Sequence, residues 1–321
     1  MKLLFIGDPH IKTDNHDEID ILVRHLEQIC TEEKVDRIII GGDLMHYHER
    51  IFTQALNKTL EFIKLLSKYA PIDILVGNHD MINNQQFLTS NHWMNVLEPM
   101  NNVTVIDKPM KRSIGAYQYM LCPYVYPGRF IEALETVETE WKSYNYIFAH
   151  QEFKGCKMGA IVSTDGDEWN ETYPQVISGH IHDNQRFAKV YYPGAPLQHA
   201  FGDTDTRVVC IIENDTIRDI PLNVPKKTIV KSTISDLSSK EVSHLHKLKI
   251  VATPEEFKMF KQTNEYKEYI EKGVKIQLAK QVKKESEAYT DIKTFRSILS
   301  ELVRTDGDSL LKKIYEELIK I

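Results

Sequence analysis

The chain has 321 residues, of which 42% are hydrophobic and 27% charged, with a net charge of −6. These values fit a globular protein with one large domain and a smaller one, and they argue against a generic basic nucleic-acid binder. No apolar run approaches transmembrane length, and Met1-Lys2-Leu3-Leu4-Phe5 turns polar too soon for a signal peptide, so no membrane association and a cytoplasmic setting are expected.

Taken in order, residues 2–6 read as a buried strand that runs into Gly7-Asp8-Pro9-His10. A helix over 17–33 carries Ile19, Leu22, Leu26 and Ile29 at helical spacing. Strand 37–40 leads into Gly41-Gly42-Asp43-Leu44-Met45-His46, and a second helix is expected over 49–69. Strand 72–76 then delivers Gly77-Asn78-His79-Asp80. The order β-α-β-α-β implies parallel strands with right-handed crossovers. Strands follow at 103–106 and 118–122, a helix at 128–142, and strand 146–149 ending at His150. Residues 154–174 read as a surface loop, and strand 175–178 ends at Gly179-His180-Ile181-His182. Tyr191–Pro196 reads as a turn and Arg207–Glu213 as a strand. The expected fold is α/β: a sheet from the first half, a mixed sheet from the second half facing it, and helices outside.

Composition shifts near Pro221–Pro225. A strand at 247–253, a helix at 254–272 and a strand at 274–278 predict a small separate α/β domain, which the resemblance given below implies to be a capping domain. The predicted organisation is 1–221, 222–284 and a helical segment 285–321. That last segment carries Ile292, Phe295, Ile298, Leu299 and Leu302, then Leu310, Leu311, Ile314, Tyr315, Leu318 and Ile319. Such a face either packs on its own domain or docks a partner. Residues 222–321 hold 20 basic and 15 acidic residues, a balance of +5, which leaves −11 for residues 1–221. A solvated surface and a phosphodiester-binding face are both compatible with that asymmetry. The cysteines Cys30, Cys122, Cys156 and Cys210 form no CxxC pair, as expected of reduced thiols in the cytosol.

The polar residues at the strand ends carry the chemistry. Asp8, His10, Asp43, Asn78, His150, His180 and His182 supply two carboxylates, an amide oxygen and four imidazoles. That is too many ligands for one ion. It suits two divalent cations sharing a carboxylate, and mixed oxygen and imidazole donors suit Mn, Fe or Zn better than Mg or Ca. His79, one residue past Asn78, is placed to contact the phosphate and protonate a leaving oxygen. Asp80 either holds that imidazole in its tautomer or caps a helix. His46 is a candidate second phosphate-side imidazole, and His48 is expected to be solvated.

In this order the motifs DxH, GD, GNHD, a lone H and GHxH resemble the calcineurin-like metallophosphoesterases over residues 3–200. Two finer stretches, Gly42-Asp43-Leu44-Met45-His46 and Tyr192–Gln198 followed by Phe201-Gly202-Asp203, resemble the SbcD-type nuclease subunits of double-strand-break repair, including those of phage. The resemblance implies one metal on Asp8, His10, Asp43 and His182 and a second on Asp43, Asn78, His150 and His180. It makes His79 the catalytic imidazole with His46 assisting. It further implies Mn²⁺-dependent cleavage of DNA in recombination and repair, an SbcC-type SMC-like ATPase partner on the C-terminal helices, and a homodimer as one arrangement. It is compatible with a phage or viral origin. Two other readings share the fold: a phosphodiesterase for cyclic nucleotides or nucleotides, and a non-catalytic scaffold. The complete ligand set disfavours the scaffold.

Overall fold

The first strand explains the layers. β1 (Lys2–Ile6) is buried on both sides. Leu3 and Phe5 enter one hydrophobic cluster, while Leu4 and Ile6 enter another. Successive side chains of a strand face opposite ways, so a strand apolar on both faces must be covered on both. The same alternation recurs across the core, and it produces a four-layer sandwich of helix, sheet, sheet and helix.

In this computed structural model, described for residues 1–137, 139–237 and 241–279 and for Leu302, Val303, Lys312 and Tyr315, the chain continues as follows. α1 (His16–Glu33), β2 (Arg37–Ile40), α2 (Thr53–Leu66), β3 (Ile72–Leu75) and β4 (Val103–Ile106) complete the first half. β5 (Met110–Ile114), β6 (Tyr117–Cys122), α3 (Phe130–Glu135), β7 (Tyr146–His150) and the short ribbon β8 (Lys157–Met158) and β9 (Ile161–Val162) follow. Next come β10 (Gln175–Gly179), β11 (Gln185–Phe187), β12 (Val190–Tyr192), β13 (Val208–Glu213) and β14 (Thr216–Pro221). One sheet has the order β14-β13-β1-β2-β3-β4, the other β11-β12-β10-β7-β6-β5. β1 to β4 are mutually parallel, as are β6, β7, β10 and β12.

Between the sheets lie Leu3, Phe5 and Ile39 from one side and Tyr119, Leu121, Phe148 and Ile177 from the other. Phe5 stacks on Phe148 with ring centroids 5.9 Å apart, and Tyr119 meets Phe148 edge-on at 5.5 Å. On the outer face of the first sheet Leu22, Leu26, Phe62 and Ile63 of the helices pack on Leu4, Ile38 and Ile40. Because the parallel strands all run the same way, their carboxyl ends deliver Asp8, Asp43, Asn78, His150 and His180 to one edge.

Several elements differ from expectation for local reasons. α2 begins at Thr53, because Glu49 takes a left-handed φ of 55° that no helix continues through. α3 shrinks to Phe130–Glu135, after Gly128 at φ 90°. Trp141 then sits in a separate short turn, stacked on Trp169. Tyr191 and Tyr192, expected in a turn, are buried in β12, and the turn begins after them. β13 joins the first sheet, antiparallel to β1, instead of the second. The strands at 110–114, 185–187 and 216–221 lack the apolar runs that marked the others.

Residues 228–278 form a parallel sheet of β15 (Thr228–Ser232), β16 (His246–Ile250) and β17 (Lys275–Leu278). α4 (Pro254–Phe260) and α5 (Asn264–Glu271) replace the single expected helix, because Thr263 caps the second one by accepting from Tyr266 N. This part has its own core, around Leu237, Leu248, Phe257 and Phe260. By packing, Met1–Ala279 form one unit and Lys280–Ile321 another. Apart from the four residues named above, the expected helices over 285–321 lie outside the described residues.

Removing the ring at the centre of the inter-sheet core leaves a cavity that neither sheet can fill. Phe148→Ala is expected to cost about 3–5 kcal/mol, read as a lowered midpoint in urea denaturation; a shift equivalent to less than about 1 kcal/mol would show that the sheets re-pack.

Candidate active site

Each strand end turns sharply, and the turn sets the side chain. His10, Asp43 and His180 have left-handed φ values of 44°, 50° and 82°, a strained backbone for residues with a Cβ. Backbone bonds hold two of these turns together: His10 N donates to Asp43 O at 3.0 Å and Ile11 N to Leu44 O at 2.8 Å. Two glycines make room. A Cβ on Gly42 would lie 2.4 Å from His150 Nδ1, and one on Gly77 would lie 2.2 Å from Asp43 Oδ1.

Asp43 occupies the middle. Its Oδ1 accepts from His79 N at 2.8 Å. Its Oδ2 lies 3.5 Å from His10 Nε2 on one side and 3.4 Å from His150 Nε2 on the other. On the first side His10 Nε2 and His182 Nε2 face each other at 3.1 Å, and the buried Asp8 Oδ2 has no hydrogen-bond partner. On the second side Asn78 Oδ1 lies 2.9 Å from both His150 Nε2 and His180 Nδ1. Asp8 Oδ1 joins the halves by accepting from His180 N at 2.8 Å. The structure thus brings together all seven residues expected to hold metal around Asp43, with Asp8 Oδ1 also 3.3 Å from His150 Nδ1.

The protonation pattern of these residues fits cation binding. His150 Nδ1 bonds to Gly41 O at 2.6 Å, which makes Nδ1 the donor and points the Nε2 lone pair at Asn78 Oδ1. Two acceptors at 2.9 Å repel unless a proton or a cation lies between them. Without metal the proton takes that place. Burial lowers the His150 pKa, but Asp43 and then Asp8 outweigh it and raise the value to about 9. Burial raises Asp43, yet the same His150 charge brings it below the usual carboxylate range. Burial, then neighbouring imidazoles, drive His10 well below the usual histidine value, and burial followed by His150 takes His180 to about 3. Those rings are therefore neutral, and each can offer one lone pair to a cation. A buried, oxygen-and-imidazole donor set with an orphaned carboxylate oxygen fits two divalent cations.

The neighbours of His79 correct two expectations. Asp80 does not touch the His79 ring. Its Oδ2 accepts from Asp43 N at 2.8 Å and Gly77 N at 3.0 Å, and its Oδ1 accepts from Trp93 Nε1 at 2.9 Å. Three donors converge on it because the short turn Asn78–Asp80 folds its carboxylate back over the loop, so it positions Asp43. His79 Nδ1 is bonded to His46 O at 2.5 Å. His48, expected in solvent, stacks on His79 with centroids 4.1 Å apart. His46 turns Nδ1 to His10 Nδ1 at 3.3 Å and so helps orient that ring, while burial, followed by Lys12, lowers its pKa to about 4.

Two further residues were not anticipated. His199 lies edge-on to His10 at 4.5 Å and to His182 at 4.8 Å, and its Nε2 approaches Asp8 O at 3.2 Å. It ends no strand; its one signal is adjacency to the Tyr192–Gln198 stretch. The buried Arg207 donates through Nη1 to His182 O at 3.0 Å and Ala195 O at 3.1 Å, clamping the histidine loop to the glycine turn. The whole opens into a cavity of about 360 Å³, walled by His79, His180 and His182 and by Lys157 and Met158 of the ribbon.

Metal uptake must displace the His150 proton. Below about pH 9, where His150 is protonated in the metal-free chain, apparent Mn²⁺ affinity is expected to rise with pH by about tenfold per unit, flattening above. Calorimetry in two buffers of different ionisation enthalpy should find about one proton or more released per chain at pH 7.5; no release would contradict the assignment.

Comparison with known proteins agrees with this geometry. Residues 1–184 match the model of the calcineurin-like phosphoesterase family. Protein 244L of Invertebrate iridescent virus 6, a phosphoesterase by name only, is 46% identical over 81% of this chain and 97% of its own. Protein 078R of Invertebrate iridescent virus 3, named in the same way, is 38% identical over 98% of this chain and 95% of its own. Exonuclease subunit 1 of Enterobacteria phage T4 is 27% identical over 68% of this chain and 66% of its own. No helix among the described residues is long and apolar enough to cross a membrane. With more than half its length matched and the metal-type donor set assembled, the chain belongs to the calcineurin-like phosphoesterases.

Proposed function

We propose that this phosphoesterase is a DNA nuclease that hydrolyses phosphodiester bonds with two divalent cations, Mn²⁺ being the working metal. The observation that carries the reading is the shared carboxylate, with Asp43 Oδ2 at 3.5 Å and 3.4 Å from one imidazole of each donor set. The distant likeness to a phage protein named as an exonuclease subunit favours DNA over small diesters. When bound, the two cations supply charge neutralisation at the phosphate and a nucleophile near neutral pH.

The side chains divide the remaining work. Asp8, His10, Asp43 and His182 hold one cation, and Asp43, Asn78, His150 and His180 hold the other. His79 Nδ1 is committed to the His46 carbonyl, so Nε2 is the ring atom free to give a proton to the leaving oxygen. The His79 backbone is tied to Asp43, which fixes the proton donor relative to the phosphate. Asp80 serves by holding Asp43 in place.

The purified chain with Mn²⁺ is expected to degrade linear duplex DNA and to hydrolyse bis-p-nitrophenyl phosphate. His79→Ser is expected to lower kcat on both by about 10²–10⁴ while the bound-metal stoichiometry stays at two. Loss of metal from that variant would remove His79 from the proton-donor role. Turnover of the small diester with DNA left intact, with and without a candidate ATPase, would move the substrate to small phosphodiesters.

We propose further that residues 285–321 dock an SbcC-type ATPase, on the strength of their apolar positions at helical spacing. A chain ending at residue 284 is expected to keep its activity on the small diester and to lose co-purification with the ATPase; a retained complex would overturn this.

A further inference from the structure

Next to the catalytic centre is a second, more enclosed cleft of about 190 Å³, between the phosphoesterase sheets and the small parallel sheet. Lys12 enters it just after β1, Lys227 just before β15 and Lys275 from the start of β17. His199 is the shared wall. The ring that lies 4.5 Å from His10 and 4.8 Å from His182 also lines this cleft, and its buried Nδ1 has no hydrogen-bond partner. A single imidazole therefore separates the cleft from the donor sets.

The three ammonium groups are unequally satisfied. Lys227 Nζ donates to Gln198 O at 2.7 Å and pairs with the buried Glu18 at 3.2 Å, so it is the best satisfied of the three. Among the described residues Lys12 Nζ has one acceptor, His199 O, at the outer limit of 3.5 Å. Lys275 Nζ has no carboxylate partner among the described residues and rests 5.6 Å from the Phe201 ring centroid. Asp14 also lines the cleft, which leaves three cations against two carboxylates. A half-buried ammonium with one long hydrogen bond lacks acceptors. An anion bringing several oxygens would satisfy Lys12, would pair with the exposed Lys275 and would balance the excess charge.

We infer that this cleft is a phosphate subsite, taking a backbone phosphate of a nucleic-acid strand next to the phosphate held at the catalytic centre. The inference rests on the nuclease reading above, and it specifies the substrate: a strand with at least two consecutive phosphates gains contacts that a single diester cannot reach. Lys12 and Lys275 act as phosphate contacts, Lys227 and Glu18 hold the floor, and His199 keeps the two sites apart.

The test compares the full-length Mn²⁺-loaded chain with its Lys12→Ala and Lys275→Ala variants. Binding is read by fluorescence anisotropy on a labelled, phosphorothioate-linked single-stranded oligonucleotide across a KCl series, and turnover on bis-p-nitrophenyl phosphate. Each variant is expected to bind the oligonucleotide about tenfold more weakly, with the slope of log K against log salt reduced by about 0.7. Turnover of the small diester should remain within twofold of the parent chain, which also certifies folding and metal loading. Lys275→Arg should retain most of the affinity. Unchanged affinity and slope in both alanine variants, with the parent chain binding the oligonucleotide, would overturn the subsite and leave the nuclease reading standing. A parent chain that turns over the small diester but neither binds nor cleaves nucleic acid would overturn both.

Discussion

The structure depends on placing buried lone pairs opposite one another around Asp43. A protein interior ordinarily pairs each acceptor with a donor. Here Asp43 Oδ2, His150 Nε2, Asn78 Oδ1 and His180 Nδ1 converge, and His10 Nε2 meets His182 Nε2 at 3.1 Å. A positive charge relieves the contact of His150 Nε2 with Asn78 Oδ1, because His150 Nδ1 is already committed to Gly41 O. The rest of the local structure can be understood as its support. Left-handed turns aim the side chains, Gly42 and Gly77 let backbone approach where a Cβ would collide, and Asp80 and Arg207 fasten the loops from behind.

The support is divided between two sheets. β1, β2 and β3 supply Asp8, His10, Asp43 and Asn78, while β7 and β10 supply His150, His180 and His182. Neither sheet contains a complete donor set. The centre forms only when Phe5 and Ile39 pack against Phe148 and Ile177, so cation binding and inter-sheet packing are thermodynamically linked. That linkage offsets part of the cost of three strained backbones and a cluster of buried charge at the sheet edge.

What the sequence made legible follows from the physics of the parallel sheet. Apolar runs such as Arg37–Ile40 and Tyr146–Ala149 are buried on both faces, so they stand out, and the polar residues after them fall on one edge. Strands without that signature were harder to read. Met110–Ile114 and Gln185–Phe187 are edge strands, half exposed and polar. Val190–Tyr192 was hidden by the proline and glycine that follow it. His199 was missed and His48 misplaced in solvent for a related reason: they reach the site through loop conformation, which no periodicity encodes. Asp80 was legible as part of the motif but not in its role, because adjacency to His79 in sequence says nothing about which way a carboxylate folds in a three-residue turn.

The geometry of that turn bears on the chemistry. Asp80 accepts from the backbone of Asp43, Asp43 accepts from the backbone of His79, and the His79 ring is pinned to the carbonyl of His46, three residues beyond Asp43. The loop after β2 and the loop after β3 therefore hold each other through a closed circuit of hydrogen bonds. His79 and Asp43 cannot move independently, which under the proposed function keeps cation positions and leaving-group protonation in register. The stacking of His48 on His79 extends the same control outward, covering one face of the ring so that its remaining nitrogen is offered to the cavity. A circuit of this kind would serve any phosphoester. Selection among substrates must then come from outside it, from what lines the approach to the cavity, and the phosphoesterase chemistry and the choice of substrate are separable features of this fold.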